Sequence, residues 1–351
     1  MSVTNQTGTA DSVERNDKPP GLEQLIALTD LITPMAVRVA ATLRLADHIA
    51  EGVTMLDELA RRAGVDVDAL GRLLRYLVAR GVFAETASGQ FGLTDSAQLL
   101  SEAHPTRMRA RFDLEGAVGR ADLAFTGLIE AIRTGKPSYP TVFGRPFWED
   151  LNADPERAAS FAAQMATNAT RSGIEAAYDW GGVHHVVDVG GGTGALLAQI
   201  LTAHPHLHGT LLDLAPTNDD ARRTFTEAGV ADRVDLVTGS FFDALPAGDA
   251  HLLCKVLHDW DDENAIAILR RCAEAAGEDG RVVIVELVAD GTEDPVEFTH
   301  MDLRMLVYMG GRERTFNQFY QIAATAGMTV RKAGDGKWGS TVLECRPEQA
   351  R

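Results

Sequence analysis

A glycine-rich turn and a histidine set in an acidic run are where chemistry is most readily placed in this chain. The turn lies in Val186-Val187-Asp188-Val189-Gly190-Gly191-Gly192-Thr193-Gly194, read as a buried strand entering a glycine loop, with a helix beginning near Ala195. Glycines admit positive φ and let a ligand approach the backbone without meeting Cβ atoms. The helix N-terminus behind them offers unsatisfied N–H groups to an anion. Asp213 ends the next strand, 23 residues after Gly190, where a carboxylate can accept hydrogen bonds from ribose hydroxyls. Gly190, Gly192 and Ala195 also satisfy the dinucleotide fingerprint, so a nicotinamide dehydrogenase is one reading of this motif. Two features favour S-adenosyl-L-methionine instead. Asp188 sits inside the strand, where it can anchor the turn and face an ammonium group, and Phe241 follows the next strand, where an adenine ring can stack.

The histidine is His258, in Leu257-His-Asp-Trp-Asp-Asp-Glu263 after an apolar strand, with Glu286 closing the strand that follows. That is the carboxyl edge of a parallel sheet, where ligands collect. Alone, such a residue would be an ordinary strand-end histidine. Asp262 can cap the helical run after it, and Asp259 reads either as a cap or as a substrate-binding carboxylate. Glu313 stands in Gly310-Gly-Arg-Glu-Arg-Thr315, which in isolation could carry solvated charges. His204, His206 and His208 flank Pro205 without a nearby thiolate or carboxylate, so no metal site is expected.

The elements that must hold these residues are legible from their rhythm. From Val183 onward, apolar runs at His185–Val189, Thr210–Leu214, Val234–Val237, His251–Leu257 and Val282–Leu287 alternate with helix-like stretches such as Asp262–Ala276. Alternation of this kind predicts a parallel sheet covered by helices on both faces. Earlier in the chain, Thr54 with Asp57 opens a helix that Gly64 closes, and Asp66 caps a second helix ending at Gly81. A hairpin around Ser88-Gly89 follows, giving a winged-helix arrangement. Its charges between Thr54 and Arg80 are five Arg against four Asp or Glu, and its second helix opens with Asp66 and Asp68. A DNA-binding regulator is therefore the weaker reading of it, and subunit pairing the stronger. Residues 101–180 read as mostly helical, broken by a loop from Gly135 to Pro146. Trp148, Phe161, Met165 and Trp180 in this region are either core or ligand-pocket walls. The boundaries expected are a disordered tail at 1–20, a winged-helix domain at 21–105, a helical substrate-lining region at 106–180 and a Rossmann-like domain at 181–351.

Composition narrows the classes. Thirty-three basic against 50 acidic residues leave a net charge of −17, a poor footprint for nucleic acid or anionic lipid. Cys254, Cys272 and Cys345 are too few and too widely spaced for a disulfide framework, which fits a reducing cytoplasm. The first 20 residues hold no apolar signal-peptide core, and no uninterrupted apolar run approaches a bilayer span of roughly 18 residues.

Taken together, the ordered segments Asp188–Gly194, Leu212-Asp213, Gly239-Ser-Phe-Phe242, Leu257–Glu263 and Gly310–Thr315 resemble the bacterial and plant small-molecule O-methyltransferases that carry an N-terminal winged-helix dimerisation domain. Thr33–Val37, Ala40–Arg44, Gly144–Asp150 and Asp302–Leu306 are similar to the anthracycline-tailoring methyltransferases of actinomycetes. The resemblance spans about Leu22 to Cys345. It implies a mostly parallel seven-stranded Rossmann-like sheet, a homodimer, and methylation of a phenolic hydroxyl on a polyketide-like aromatic compound. In that light Gly190, Gly191 and Gly192 hold the methionyl part of the cofactor, Asp213 its ribose, and Ser240 and Phe241 its adenine. His258 becomes the general base, with Glu286 and Glu313 beside it, and Met165, Met305 and Met309 shape the substrate pocket. Two departures stand out: family members usually carry Asp at position 240, and many carry Lys or Ser at 254, where this chain has Ser240 and Cys254. A free imidazole near pKa 6.5 facing a phenol near 10 leaves a gap of about 5 kcal/mol, which a carboxylate such as Glu286 on the ring would narrow. Relatives that hydroxylate, decarboxylate or rearrange their substrates keep a non-methylating reaction open, although a base placed at His258 favours methylation.

Overall fold

The structure is a computed structural model that describes residues 19–214, 218–290 and 295–348. Most of the 1–20 segment expected to be a tail lies outside the described residues. The chain divides at Gln98 and Leu99 into two compact units.

The first unit begins with helices Leu22–Leu28, Ile32–Thr42 and Leu45–Ala50. Helices Leu56–Ala63 and Val67–Ala79 follow, then a hairpin of β1 (Phe83–Ala87) and β2 (Gln90–Leu93). Asp66 caps its helix as expected, accepting the Ala69 N–H at 2.9 Å, and Gly64 ends the preceding one in the left-handed conformation. Thr54 does not cap: the helix starts after Met55 with no side-chain acceptor. Instead the Thr54 carbonyl takes the Phe91 N–H at 2.9 Å, so the segment before the helix is spent on the hairpin. Leu45, Leu59, Leu74, Leu77 and Phe83 fill the core of this unit. One stretch departs from the sequence reading. Leu22–Thr42, 21 residues, is by length and composition long and apolar enough to cross a membrane. It passes because Asp30 and Arg38 only dilute an otherwise apolar stretch, and it forms two helices rather than one.

The second unit is built on a seven-stranded sheet. Its strands are β3 (His185–Val189), β4 (His208–Asp213), β5 (Val234–Thr238), β6 (Ala250–Cys254), β7 (Arg281–Leu287), β8 (Met328–Asp335) and β9 (Ser340–Pro347). Their spatial order is β5-β4-β3-β6-β7-β9-β8. The first five pair in parallel and β9 runs antiparallel to both of its neighbours. Alternate residues of β3 enter opposite cores. Val186 packs with Leu197, Ile200 and Phe225 on one face, while Val187 and Val189 pack with Ile268, Leu269 and Phe319 on the other. Each such buried Leu, Ile or Phe contributes about 1.5–3 kcal/mol. The strand order reverses between β3 and β6, and the carboxyl ends of those two strands carry the glycine turn and the segment leading to His258.

Helices before the sheet, including Ala117–Asp122, Phe147–Asn152 and Pro155–Thr170, surround an aromatic cluster of Tyr139, Phe147, Trp148, Phe161 and Tyr308. The Gly135–Pro146 stretch, expected to be loop, holds a helical turn at Tyr139–Phe143. Tyr139 is buried there with its hydroxyl donating to Asp150 at 2.7 Å. Of the four large residues left open as core or pocket wall, Trp180 is core, sealed against Tyr178 at 4.9 Å between ring centroids.

Candidate active site

The glycine turn is shaped by what lies beneath it. Gly190 has φ 73°, and its N–H donates to the Leu212 carbonyl at 2.8 Å, tying the turn to β4. Gly191 crosses so close over Asp188 that an added Cβ would overlap the carboxylate and stand 2.5 Å from Leu211 Cδ1. Asp188 itself is buried, and its Oδ2 has no hydrogen-bond partner among the described residues. Burial first, and the Asp213 charge second, push its carboxyl up to about 7. Burial also holds Asp213 above the ordinary carboxylate range, offset only in part by backbone donors: Leu214 N–H at 2.6 Å on Oδ1 and Gly192 N–H at 2.7 Å on Oδ2. Phe241 lies over the turn, with Cε1 3.5 Å from where a Gly190 Cβ would stand. Its ring meets Trp260 edge-on at 5.7 Å. Ser240 Oγ accepts the Phe242 N–H at 3.2 Å. Cys254 ends β6 as a free thiol that burial holds well above the usual thiol range.

The second half of the site is a short 3-10 turn, Leu257–Asp259, that projects His258. Glu286, buried in β7, accepts the Leu257 N–H at 3.0 Å and the His258 N–H at 3.4 Å through Oε1. The ring is bonded by another residue. Glu313 Oε1 lies 2.9 Å from Nδ1, against 3.5 Å for Glu286 Oε2. Both carboxylates thus face the ring: Glu313 hydrogen-bonds it, while Glu286 lies at ion-pair distance and also shapes the backbone of the turn. Asp259 Oδ1 is 3.4 Å from Nε2. Burial alone would depress the imidazole, but Glu286, Glu313 and Asp259 outweigh it and push it up to about 10. Asp259 is pushed by burial, less the pull of His258, up to about 7. Glu313 resists burial because the His258 charge and hydrogen bond hold it below the ordinary carboxylate range.

Arg314, which the sequence reading did not single out, holds this turn. Fully buried, it donates to the Leu257 carbonyl at 2.7 Å and the Trp260 carbonyl at 2.8 Å, and pairs with Asp262 at 2.8 Å. Arg312 N–H adds a bond to the His258 carbonyl at 2.9 Å. Asp302 Oδ1 accepts the Glu313 N–H at 2.9 Å. Asp262 is thus an ion-pair partner, and the helix after the turn is capped by Asp261, which accepts the Asn264 N–H at 2.9 Å. In sequence Arg314 is one more charge in a polar turn; only the fold reveals that it is buried.

His258, Glu286 and Glu313 offer ligand atoms within 4.8 Å of one another, a spacing that can hold a cation. Here Lys255 Nζ already stands 3.8 Å from Glu286 Oε2. His204 and His206 bond the main-chain carbonyls of Glu175 at 2.7 Å and Trp180 at 3.3 Å. Of the candidate pocket residues, Met305 is a core residue whose carbonyl accepts the Gly310 N–H at 2.9 Å. Met309 packs on the aromatic cluster, and Met165 lies half-buried on Pro155–Thr170. A groove of about 580 Å³ lined by Glu175, Gln199, Thr202, Thr224 and Glu227 includes none of these site residues.

Comparison with known proteins places these features in context. Residues 125–329 match the model of the O-methyltransferase domain, and residues 26–103 that of the O-methyltransferase dimerisation domain. The chain is 51% identical over 312 residues to a 2,7-dihydroxy-5-methyl-1-naphthoate 7-O-methyltransferase of Streptomyces carzinostaticus, covering 88% of this chain and 93% of that one. It is 46% identical over 325 residues to aclacinomycin 10-hydroxylase RdmB of Streptomyces purpurascens, covering 90% and 86%. Among solved structures, the neocarzinostatin-biosynthesis O-methyltransferase NcsB1, in complex with S-adenosyl-L-homocysteine and 1,4-dihydroxy-2-naphthoic acid, superposes with a TM-score of 0.87. Its identity is 49%, with 92% of this chain and 98% of that chain covered.

Proposed function

The chain belongs to the O-methyltransferase family, and on that premise we propose that it methylates a phenolic hydroxyl of an aromatic, polyketide-like compound, using S-adenosyl-L-methionine and His258 as general base. The relatives acting on hydroxynaphthoic acids support that substrate class. The residues of the turn fit the cofactor: the buried Asp188 Oδ2 lacks a partner that an amino-acid ammonium would provide, and the close-packed glycines leave backbone accessible. Asp188 would accept from that ammonium, Gly190, Gly191 and Gly192 would border the methionyl chain, and Asp213 would bind the ribose. Phe241 would stack on the adenine, with Ser240 and Cys254 flanking it. When bound, S-adenosyl-L-methionine supplies an electrophilic methyl group.

The observation that carries the reading is the Glu313 contact to Nδ1 at 2.9 Å. It fixes the ring and leaves Nε2 as the atom to accept a proton. The carboxylates around the ring raise the imidazole above its ordinary value, so a deprotonated ring takes a phenol's proton less steeply uphill than the about 5 kcal/mol facing a free imidazole. Asp259, Met165 and Met309 would face the substrate, while Met305, a core residue, would back the pocket from behind. The match to a dimerisation domain supports a homodimer, and the three free thiols suit a cytoplasmic setting.

His258→Ala is expected to lower kcat by roughly 10²–10⁴-fold while S-adenosyl-L-homocysteine binding, read by calorimetry, stays nearly intact. Unchanged turnover would remove His258 from the mechanism. The likeness to a 10-hydroxylase favours one second reading, hydroxylation on the same scaffold. Product mass separates the two, since a methyl and an oxygen add different increments.

A further inference from the structure

We propose that Lys255 is an electrostatic positioning residue of the catalytic cluster: its ammonium steadies the Glu286 carboxylate and moderates how tightly His258 keeps its proton. This inference rests on His258 being the base. Lys255 follows β6 with φ 56°, a left-handed conformation that costs a residue other than glycine free energy. Its N–H donates to the Val285 carbonyl on β7 at 3.0 Å, and its side chain meets Glu286, the next residue of that strand. Nζ is buried, without a hydrogen-bond partner among the described residues, and stands 3.8 Å from Glu286 Oε2. That same oxygen, likewise without a hydrogen bond, is 3.5 Å from His258 Nδ1. Ammonium and imidazole therefore face one carboxylate oxygen from two sides.

The charges around the ring show why this matters. Glu286 faces it from β7, Glu313 from the Gly310–Thr315 segment and Asp259 from its own turn. Arg314 and Arg312 belong to the same segment as Glu313 but pair with Asp262. Asp302, from the helix Pro295–Tyr308, takes the Glu313 N–H. Cys254 precedes Lys255 as a thiol. The carboxylates thus exceed the cations directed at them, and the surplus binds the proton to the imidazole. A base must be free of its proton to accept another. A cation beside Glu286 offsets part of that surplus and eases the proton off.

The test is the titration of the His258 ring, followed by NMR in ¹³C-histidine-labelled full-length protein, with the pH–rate profile alongside. Lys255→Met should move the ring's titration upward by about one unit and carry the acid limb of the rate profile with it. Lys255→Arg should restore both. Homocysteine-cofactor binding should stay within about threefold, and a cooperative thermal melt confirms that the variant is folded. Should Lys255→Met not fold, Lys255→Gln is titrated in its place. A ring titration that does not move in a folded neutral variant overturns the proposal, whatever turnover does. Intact turnover in His258→Ala would instead overturn the assignment of the base, so the two failures are separable.

Discussion

A buried carboxyl with no hydrogen-bond partner costs free energy that a ligand can recover, and Asp188 is such a group. Its pKa of about 7 lies above the unfolded value, so in the ligand-free protein it is largely protonated below neutrality. An ammonium placed on Oδ2 favours the ionised form. Binding of S-adenosyl-L-homocysteine at pH 6.5 is therefore expected to release a proton, and less release is expected as pH rises past about 7. Calorimetry in two buffers of different ionisation enthalpy measures it; identical apparent heats would contradict the assignment. Asp188→Asn should abolish the release and weaken binding roughly tenfold to hundredfold, the loss of a charge-assisted bond. At this scale the chain was readable where chemistry is local. Asp188 and the glycines are contiguous, and His258 sits in a short acidic run. The partner of the imidazole was less readable: Glu313 lies 55 residues away, and nothing in Gly-Gly-Arg-Glu-Arg distinguishes a buried clamp from a wet turn.

Between residue and fold, the 257–260 turn and the 311–314 segment act as one device. Gly311 lies against the turn so closely that a Cβ would overlap the His258 carbonyl oxygen and approach the Asp259 carbonyl carbon to 2.5 Å. Those neighbours are backbone atoms, which cannot swing aside. Gly311→Ala should therefore displace the turn by several tenths of an ångström. Turnover should fall by roughly ten- to hundredfold with homocysteine-cofactor affinity retained, since the glycine turn after β3 is separate. Steady-state kinetics and calorimetry on the same preparation decide it; a fully active variant would show that the segment does not set the base. The central strands β3, β4, β6 and β7 were legible because a strand covered on both faces must be apolar along its length, and the edge strand β5 by its apolar residues interleaved with polar ones. β8 and β9 were not. β8 alternates at the sheet edge, and β9 buries Ser340, Thr341 and Glu344 among its apolar residues. Glu344 is tolerated there because Tyr178, Arg331 and Arg346 all donate to it, a set of partners no local pattern announces.

For the molecule as a whole, the first unit exposes apolar side chains that a monomer would leave in water. Leu28 is 76% and Leu31 78% exposed, with Leu25, Ile26 and Ile32 nearby. A contiguous apolar surface of this kind marks an interface, and the segment overlaps the dimerisation-domain match. Sedimentation at micromolar concentration should give twice the 37.8 kDa chain mass. Leu28→Glu with Leu31→Glu should weaken association at least a hundredfold, from about 1.5–3 kcal/mol per buried leucine. A monomeric wild type, or a charged variant that stays dimeric, would contradict this. Pairing of subunits was expected from the sequence by resemblance, but the helix faces responsible were not, because Asp30 and Pro34 interrupt the apolar periodicity there. One last feature bears on how such molecules diversify. The grip of Arg312 and Arg314 on the His258 turn falls on main-chain oxygens, which every amino acid shares. Position 258 can accordingly change its side chain without losing these main-chain bonds, although the buried Glu313 then loses its ring partner. A lineage that alters position 258 must therefore also accommodate Glu286 and Glu313, the buried carboxylates that face its side chain.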